Sequence, residues 1–198
     1  MRRLGPWPPL ALALLVAGIL APALSGRATF FYRDVHWVWY PWFESLARGL
    51  AEGAWPLWDP HPGFGQPALA NPAYQVAYPL AWPAWVLPGH AAYALYVFAH
   101  LLLAGTGAAR LLRGWGTGRL AATAGAALWI LSGPLLSFHS LHHHFAGLCF
   151  MPWVLVAVER ALGEPERWGG WRLGVLLGLQ LLAGSADMVV MTGLAVGL

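Results

Sequence analysis

The chain has 198 residues, of which 59% are hydrophobic and only 10% are charged. Soluble domains carry about 25% charged residues, so this composition excludes an ordinary water-soluble protein. The formal charge of +3 comes from eleven arginines and no lysine, grouped at the ends of apolar blocks as membrane topology signals are, which argues against nucleic-acid binding.

The first apolar block, residues 8–25, follows Arg2 and Arg3. It is open to two interpretations, a cleaved signal peptide or an uncleaved first membrane helix, and we favour the helix because more spans follow. Further spans are predicted at residues 91–112, 120–138, 145–162 and 171–184, with Gly133-Pro134 expected to kink the third. A sixth apolar run, 188–198, is shorter than a crossing needs, so we expect the chain to be the N-terminal part of a longer protein.

The arginines predict the orientation of these spans. With a cytoplasmic N-terminus, eight arginines lie inside and three lie outside, which satisfies the positive-inside rule. The inside set is Arg2, Arg3, Arg110, Arg113, Arg119, Arg160, Arg167 and Arg172, and the outside set is Arg27, Arg33 and Arg48. This orientation places loop 26–90, the histidines of His139–His144 and Asp187 together on the outer face.

The long loop 26–90 contains seven tryptophans, a residue type that prefers the headgroup level of a bilayer. A helix is predicted from Pro41 to a stop at Gly53, and its apolar face predicts an amphipathic helix that lies in the membrane interface. The alternative is a helix whose apolar face packs on protein. After it, glycine and proline are so dense over residues 55–80 that we expect neither helix nor strand there.

Several motifs of this loop resemble those of the YfhO-type bacterial membrane proteins, which belong to the GT-C glycosyltransferase superfamily. The motifs are Tyr32-Arg33-Asp34, Pro56-Leu57-Trp58-Asp59-Pro60, Gly65-Gln66-Pro67, Ala70-Asn71-Pro72 and Tyr78-Pro79. Later segments are similar too, among them Ser132-Gly133, Met151-Pro152-Trp153 and Leu182-Ala183-Gly184, although the turn after Gly184 departs from the family pattern. The resemblance implies an all-α, polytopic transmembrane helix bundle in the bacterial inner membrane.

The resemblance also implies a reaction, the transfer of a sugar from a polyprenyl-phosphate donor to a cell-envelope acceptor at the outer face. GT-C enzymes have an acidic residue in the first outer loop, and Asp34 matches that position. Its carboxylate would deprotonate the acceptor hydroxyl or hold a divalent metal ion against the leaving phosphate. The alternative is that Asp34 caps the following helix.

Four further residues are predicted to bind substrate. Arg33 could hold a lipid phosphate or anchor the loop in the interface. Asp59 lies in an Asp-Pro turn, Gln66 in the Gly-Gln-Pro motif, and Asp187 could supply a second carboxylate on the outer face. No metal ligand is assigned.

The histidines raise two separate questions. His139, His142 and His143 would share a face if they were helical, but with no carboxylate or cysteine nearby in the sequence we favour interfacial or phosphate-facing roles over a metal site. His100, inside the second span, is expected to hydrogen-bond a neighbouring helix rather than to titrate.

Two functions of other classes remain open. A transporter or lipid flippase is disfavoured because the spans have almost no charge at mid-depth, where coupled carriers usually have ionisable residues. A non-catalytic membrane subunit is the other.

Overall fold

The computed structural model describes residues 4–163 and 170–197, and this part of the chain is mostly helical. The topology markers Arg2, Arg3 and Arg167 and the chain end at Leu198 lie outside the described residues. The α-helices are α1 (Trp7–Leu24), α2 (Tyr40–Ala51), α3 (Gly89–Gly114), α4 (Arg119–Ile130), α5 (Gly133–Phe138), α6 (His142–Gly163), α7 (Trp171–Leu182) and α8 (Ala186–Val196).

Within the described residues, three helices are long and apolar enough to cross a membrane, namely α1, α3 and α6. They occupy the positions of the first, second and fourth predicted spans. Helices α7 and α8 have 12 and 11 residues, or roughly 18 Å of helix each, whereas the hydrocarbon core is about 30 Å thick. The fifth apolar run is therefore helical but too short to cross the membrane as one straight helix, and the sixth is helical as far as Val196.

The apolar run over residues 120–138, where a kink at Gly133-Pro134 is predicted, contains two helices. Helix α4 ends at Ile130, Ser132 has an extended backbone with ψ 148°, and α5 begins at Gly133. Pro134 favours the break, because it has no N–H to bond the carbonyl of Ile130 and it lies in the first turn of α5, where no N–H is needed. The predicted kink is thus a complete interruption.

The long helices pack closely through small residues. A Cβ atom at Gly107 of α3 would lie 2.7 Å from Cδ1 of Trp153 in α6, so only glycine fits there. The indole N–H of Trp153 donates to the carbonyl of Leu103 at 2.9 Å, which ties the same two helices together. Small residues and interhelical hydrogen bonds are the usual means by which membrane helices associate.

The bundle has two chemically different ends. At one, which we call the arginine end, lie the start of α1, the α3–α4 connection, the end of α6 and the start of α7; there Trp115 Nε1 donates to Glu159 Oε1 at 2.5 Å. At the other, the loop end, residues 26–88 cover the starts of α3 and α6 and the α7–α8 turn. Trp39 Nε1 donates to the carbonyl of Ser140 at 3.0 Å there.

The amphipathic helix exists, and its apolar face packs on the protein. Trp42, Phe43 and Leu46 of α2 are all buried within the protein, so the alternative of packing on protein is the correct one for this face. A π-helical turn, Val35–Trp39, precedes α2. The aromatic rings that remain exposed are on other positions of the loop, including Trp37, Phe64 and Trp82.

The prediction that residues 55–80 contain neither helix nor strand is also wrong in detail. Strands β1 (Trp58–Asp59) and β2 (Gln66–Pro67) form a two-residue antiparallel ladder in which Asp59 is opposite Gln66. Two 3-10 helices follow, Pro72–Tyr74 and Pro79–Trp85. Each of them has proline in its first turn, where the missing N–H leaves no bond unmade.

Candidate functional site

A polar cleft of about 560 Å³ lies between α2 and the β1–β2 region. Three aromatic rings and several charged or polar side chains line it. They are Trp37, Trp42, Tyr74, Glu44, Ser45, Arg48, Asp59, His61 and Gln66. We call this cavity the loop-end cleft.

Asp59 lies at the base of the loop-end cleft and is only 4% exposed. Its Oδ1 accepts a hydrogen bond from the backbone N–H of His61 at 3.1 Å and lies 3.0 Å from His61 Nδ1. Its Oδ2 accepts from the hydroxyl of Tyr74 at 3.4 Å. Because a buried polar group without partners would be costly, these hydrogen bonds stabilise the Asp59 side chain in its buried position.

Tyr74 joins the aromatic and the polar parts of the cleft. Its ring stacks on Trp42 with centroids 3.8 Å apart, and Trp42 Nε1 donates to the backbone carbonyl of Tyr74 at 3.1 Å. Its hydroxyl also accepts a short hydrogen bond from Gln66 Nε2. Burial, and next the negative charge of Asp59, raise the pKa of Tyr74 to about 12, so the hydroxyl keeps its proton at neutral pH.

Ser45 and Asp59 both contact His61, but the three residues do not form a hydrolytic triad. Ser45 Oγ and Asp59 Oδ1 both approach Nδ1 of His61, at 3.3 and 3.0 Å. A triad needs the serine on one ring nitrogen and the carboxylate on the other, so that a proton can pass through the imidazole. This arrangement therefore suits ligand binding better than acyl transfer.

A second polar cluster lies where α6 begins beside the α7–α8 turn. His144 Nδ1 is 3.0 Å from Asp187 Oδ2 and 2.8 Å from Ser185 Oγ, and Ser185 donates to Asp187 Oδ1 at 2.5 Å. Burial raises the pKa of Asp187, but the Ser185 hydroxyl and the His144 ring outweigh it, and the pKa lies below its ordinary value. The cluster connects α6 to the turn through side chains.

The predicted site residues other than Arg33 lie at or near these two places. Asp59 and Gln66 meet in the loop-end cleft through the β1–β2 ladder. Asp187 belongs to the second cluster, and Asp34 is close enough to His143 to interact with it electrostatically, as Asp187 is. Arg33 is exposed and has the left-handed φ of 54°.

The capping alternative for Asp34 is not supported. Asp34 is the residue before the Val35–Trp39 turn, but its carboxylate makes no capping hydrogen bond. It is half-buried and stands one turn before Trp37 and Val38, which line the loop-end cleft. A carboxylate not used as a cap remains available for chemistry, so the predicted role of Asp34 stays a prediction.

The histidines contact different partners and do not form one cluster. His142 is buried against Trp39, with ring centroids 3.8 Å apart, while His139 Nδ1 bonds the carbonyl of Leu136 at 2.5 Å and His144 bonds Asp187. Over residues 4–163 and 170–197, no three histidine, cysteine or acidic side chains converge as ligands for a metal ion. His100 Nε2 accepts from the hydroxyl of Tyr78 at 2.7 Å, so its partner is the loop and not a neighbouring helix.

Sequence reasoning did not identify Trp42, Tyr74, His61 and Ser45 as cleft residues. His61 could have been found from the sequence. In an Asx turn an aspartate side chain accepts a hydrogen bond from the backbone N–H two residues later, and Asp59-Pro60-His61 is a typical sequence for such a turn. The stacking of Trp42 on Tyr74 joins positions 32 residues apart, and no local pattern indicates it.

Comparison with known protein families, with characterised proteins and with solved structures found no match to this chain. The functional conclusion therefore depends on the geometry of the site together with the motifs of the sequence.

Proposed function

We propose that this chain carries the sugar-binding part of a membrane glycosyltransferase, which moves a sugar from a polyprenyl-phosphate donor to a cell-envelope acceptor. The observation that carries the proposal is the loop-end cleft, where a buried carboxylate lies beneath stacked aromatic rings. Aromatic faces suit the apolar face of a pyranose ring, and carboxylate and amide groups suit its hydroxyls.

The loop around the cleft supports a substrate that arrives from a membrane. Phe64 is fully exposed and Trp37 is 78% exposed, and aromatic side chains of this kind favour the headgroup level of a bilayer. Arg48 lines the cleft, and its guanidinium matches the geometry of a phosphate. A lipid-linked sugar could thus place its phosphate at Arg48 and its sugar over Asp59 and Tyr74.

In the proposed reaction, the acceptor hydroxyl attacks the anomeric carbon and the bond from that carbon to the donor phosphate breaks. Asp34 accepts the hydroxyl proton, and the polyprenyl phosphate leaves with the electron pair. Asp59 already accepts bonds from His61 and Tyr74, so we assign it to the sugar and not to the proton. Gln66 supports Tyr74, while Arg33 and Asp187 keep their predicted binding roles at the same end.

The proposed topology is that of a multi-pass protein of the bacterial inner membrane with a cytoplasmic N-terminus. The arginine end contains Arg110, Arg113, Arg119, Arg160 and Arg172 and faces the cytoplasm, and the loop end faces outward. Because α3 and α6 both run from the loop end to the arginine end, this topology also needs α4 and α5 together to return the chain across the membrane.

The test is a transfer assay on the full chain in proteoliposomes. Polyprenyl-phosphate monosaccharides labelled in the sugar are supplied one at a time with a cell-envelope extract as acceptor, and release of polyprenyl phosphate is followed. We expect Asp34→Asn to lower the rate by about 10²-fold or more, as loss of a general base does. Glu52→Gln, at an exposed carboxylate in the same loop, should leave the rate unchanged.

Two results would contradict the proposal. Transfer by Asp34→Asn at the rate of the unaltered chain would remove Asp34 from the reaction. Exchange of labelled donor across the bilayer without any release of polyprenyl phosphate would identify a flippase instead.

A further inference from the structure

His61 lines the loop-end cleft, and its ring is held at one nitrogen. Nδ1 lies 3.0 Å from Oδ1 of Asp59 and 3.3 Å from Oγ of Ser45, so the same atom contacts the β1–β2 region and α2. The backbone N–H of His61 donates to the same Asp59 oxygen at 3.1 Å, which fixes the main chain beside the ring. These contacts set the orientation of the imidazole before a ligand arrives.

The hydrogen bonds of Asp59 assign the proton of the His61 ring. Oδ1 of Asp59 accepts from the backbone N–H of His61, and Oδ2 accepts from the hydroxyl of Tyr74. That hydroxyl is free to donate because its oxygen accepts from Gln66 Nε2. A side chain that accepts at both oxygens has the pattern of a carboxylate, which has no proton to donate. Nδ1 is therefore the donor to Asp59, and Nε2 of the neutral ring is left with a lone pair.

Nε2 of His61 is available to a ligand. Across residues 4–163 and 170–197 this nitrogen has no hydrogen-bond partner, and 63% of the side chain is exposed. A lone pair on the imidazole ring accepts hydrogen bonds, so the ligand group that matches it is a donor such as a hydroxyl. A carboxylate or an ether oxygen brings no proton and would leave Nε2 without a partner.

The acidic side chains of the cleft favour the same kind of ligand. Glu44 and Asp59 line it as hydrogen-bond acceptors, and Arg48 is the cation that the proposed function assigns to the donor phosphate. A sugar with a carboxylate of its own would offer these acceptors no proton, and its charge would be repelled by theirs. The cleft therefore suits a neutral sugar whose hydroxyl groups donate.

We propose that His61 is a specificity-determining residue, which accepts a hydrogen bond at Nε2 from one hydroxyl of a neutral sugar. The inference rests on the proposed function, because it takes the ligand of the cleft to be a sugar. It adds the class of that sugar and the direction of one contact.

The experiment measures binding to the full chain without an acceptor, so that no transfer takes place. The ligands are geranyl phosphate esters of glucose, galactose and mannose, and binding is followed by the fluorescence of the cleft tryptophans, Trp37 and Trp42. In the ester that binds best, each ring hydroxyl is replaced in turn by hydrogen and by fluorine. We expect one position at which both replacements lower the affinity about fivefold, the effect of one hydrogen bond, because fluorine does not donate.

A substitution at His61 assigns that position to Nε2. In His61→Asn the side-chain amide takes the place of Nδ1 and keeps a donor beside Asp59, but no atom takes the place of Nε2. We expect this variant to bind the parent ester about fivefold more weakly and the deoxy ester as well as the unaltered chain does. The matched control, His90→Asn, makes the same change at an exposed histidine outside the cleft and should alter neither affinity.

The class of sugar is tested with geranyl phosphate glucuronic acid. We expect it to bind about tenfold more weakly than the glucose ester, because its carboxylate meets Glu44 and Asp59. Glu44→Gln removes one of these charges and should narrow the difference.

Four results would overturn the inference while the proposed function stands. The first two are that no hydroxyl proves sensitive, or that the fluoro ester binds like its parent, which would make the protein the donor. The others are equal losses for the parent and deoxy esters in His61→Asn, and equal affinity for the glucose and glucuronic acid esters. Failure of all three neutral esters to bind would instead remove the sugar site, and with it the proposed function.

Discussion

The long helices and the loop end are held together by different forces. In α1, α3 and α6 the backbone groups bond within each helix, and small residues such as Gly107 let neighbours approach. Residues 26–88 contain only short helices and a two-residue ladder, and between these elements side chains replace the missing backbone hydrogen bonds. Their anchors include Trp39 to Ser140, Trp42 to Tyr74, Gln75 to Ala183 and Trp82 to Val76, each a side-chain N–H bonded to a backbone carbonyl.

The difference shows how a proline-rich loop can hold a site. Tryptophan supplies a large apolar ring and one N–H donor, so a single side chain both fills space and satisfies a carbonyl. Each anchor is therefore specific, whereas one substitution on a lipid-facing helix surface changes little. The following predictions run from the largest expected effect to the smallest.

The strongest way to break the loop end is at Gly184, in the α7–α8 turn. This residue has φ 89°, and a Cβ atom there would lie 2.3 Å from the carbonyl oxygen of Pro72. We expect Gly184→Ala to lower the free energy of unfolding by about 3 kcal/mol or more, since both conformation and contact are lost. Thermal unfolding in detergent and limited proteolysis of residues 26–88 would measure it.

Gly116 provides a matched control, because it has the same φ of 89° with nothing within 4 Å of its Cβ position. Gly116→Ala should cost only the conformational part, about 1 kcal/mol. Equal losses for the two variants would show that the Pro72 contact does not hold the loop.

The link between the two regions can be tested at His100. Its Nδ1 bonds the carbonyl of Tyr96 in its own helix, so Nε2 accepts from the Tyr78 hydroxyl. We expect His100→Phe to cost about 2 kcal/mol, because the buried Tyr78 hydroxyl is left without an acceptor. Adding Tyr78→Phe removes that unpaired group, so the double variant should lose less than the sum of the two single losses. Additive losses in a double-mutant cycle would contradict the link.

The smallest effect is expected inside the cleft, at Tyr74. Burial and Asp59 raise the pKa of Tyr74 from 10 to about 12, so the folded chain keeps the proton over a range in which the unfolded chain loses it. The stability from this group is complete below pH 10 and is lost as pH rises from 10 to about 12. Tyr74→Phe should cost about 1 kcal/mol at neutral pH and should show a smaller fall of stability over that range. Identical pH profiles for the two proteins would refute this.

Much of the site could not be predicted from the sequence, and particular residues show why. Pro134 predicted a kink, but whether a helix bends or stops depends on which other groups donate hydrogen bonds to the carbonyls that the proline leaves without a partner. The apolar face of α2 was read correctly from its spacing, yet a pattern of apolar residues does not say whether lipid or protein covers them. His100 was recognised as a hydrogen-bonded group, but its partner was assigned to a helix and lies in the loop.

The sequence by itself indicated which segments are apolar and long enough to cross a membrane, and it showed that arginines group at their ends. Both follow from the sequence because hydrophobic length and charge position are local properties of the chain. It also indicated which loop carries the polar motifs. Only the tertiary structure decided that Asp59, Gln66 and Tyr74 share one cleft with Trp42, and that Asp187 meets His144 at another place. Contacts between residues far apart in sequence depend on how the elements pack, and local spacing does not encode that packing.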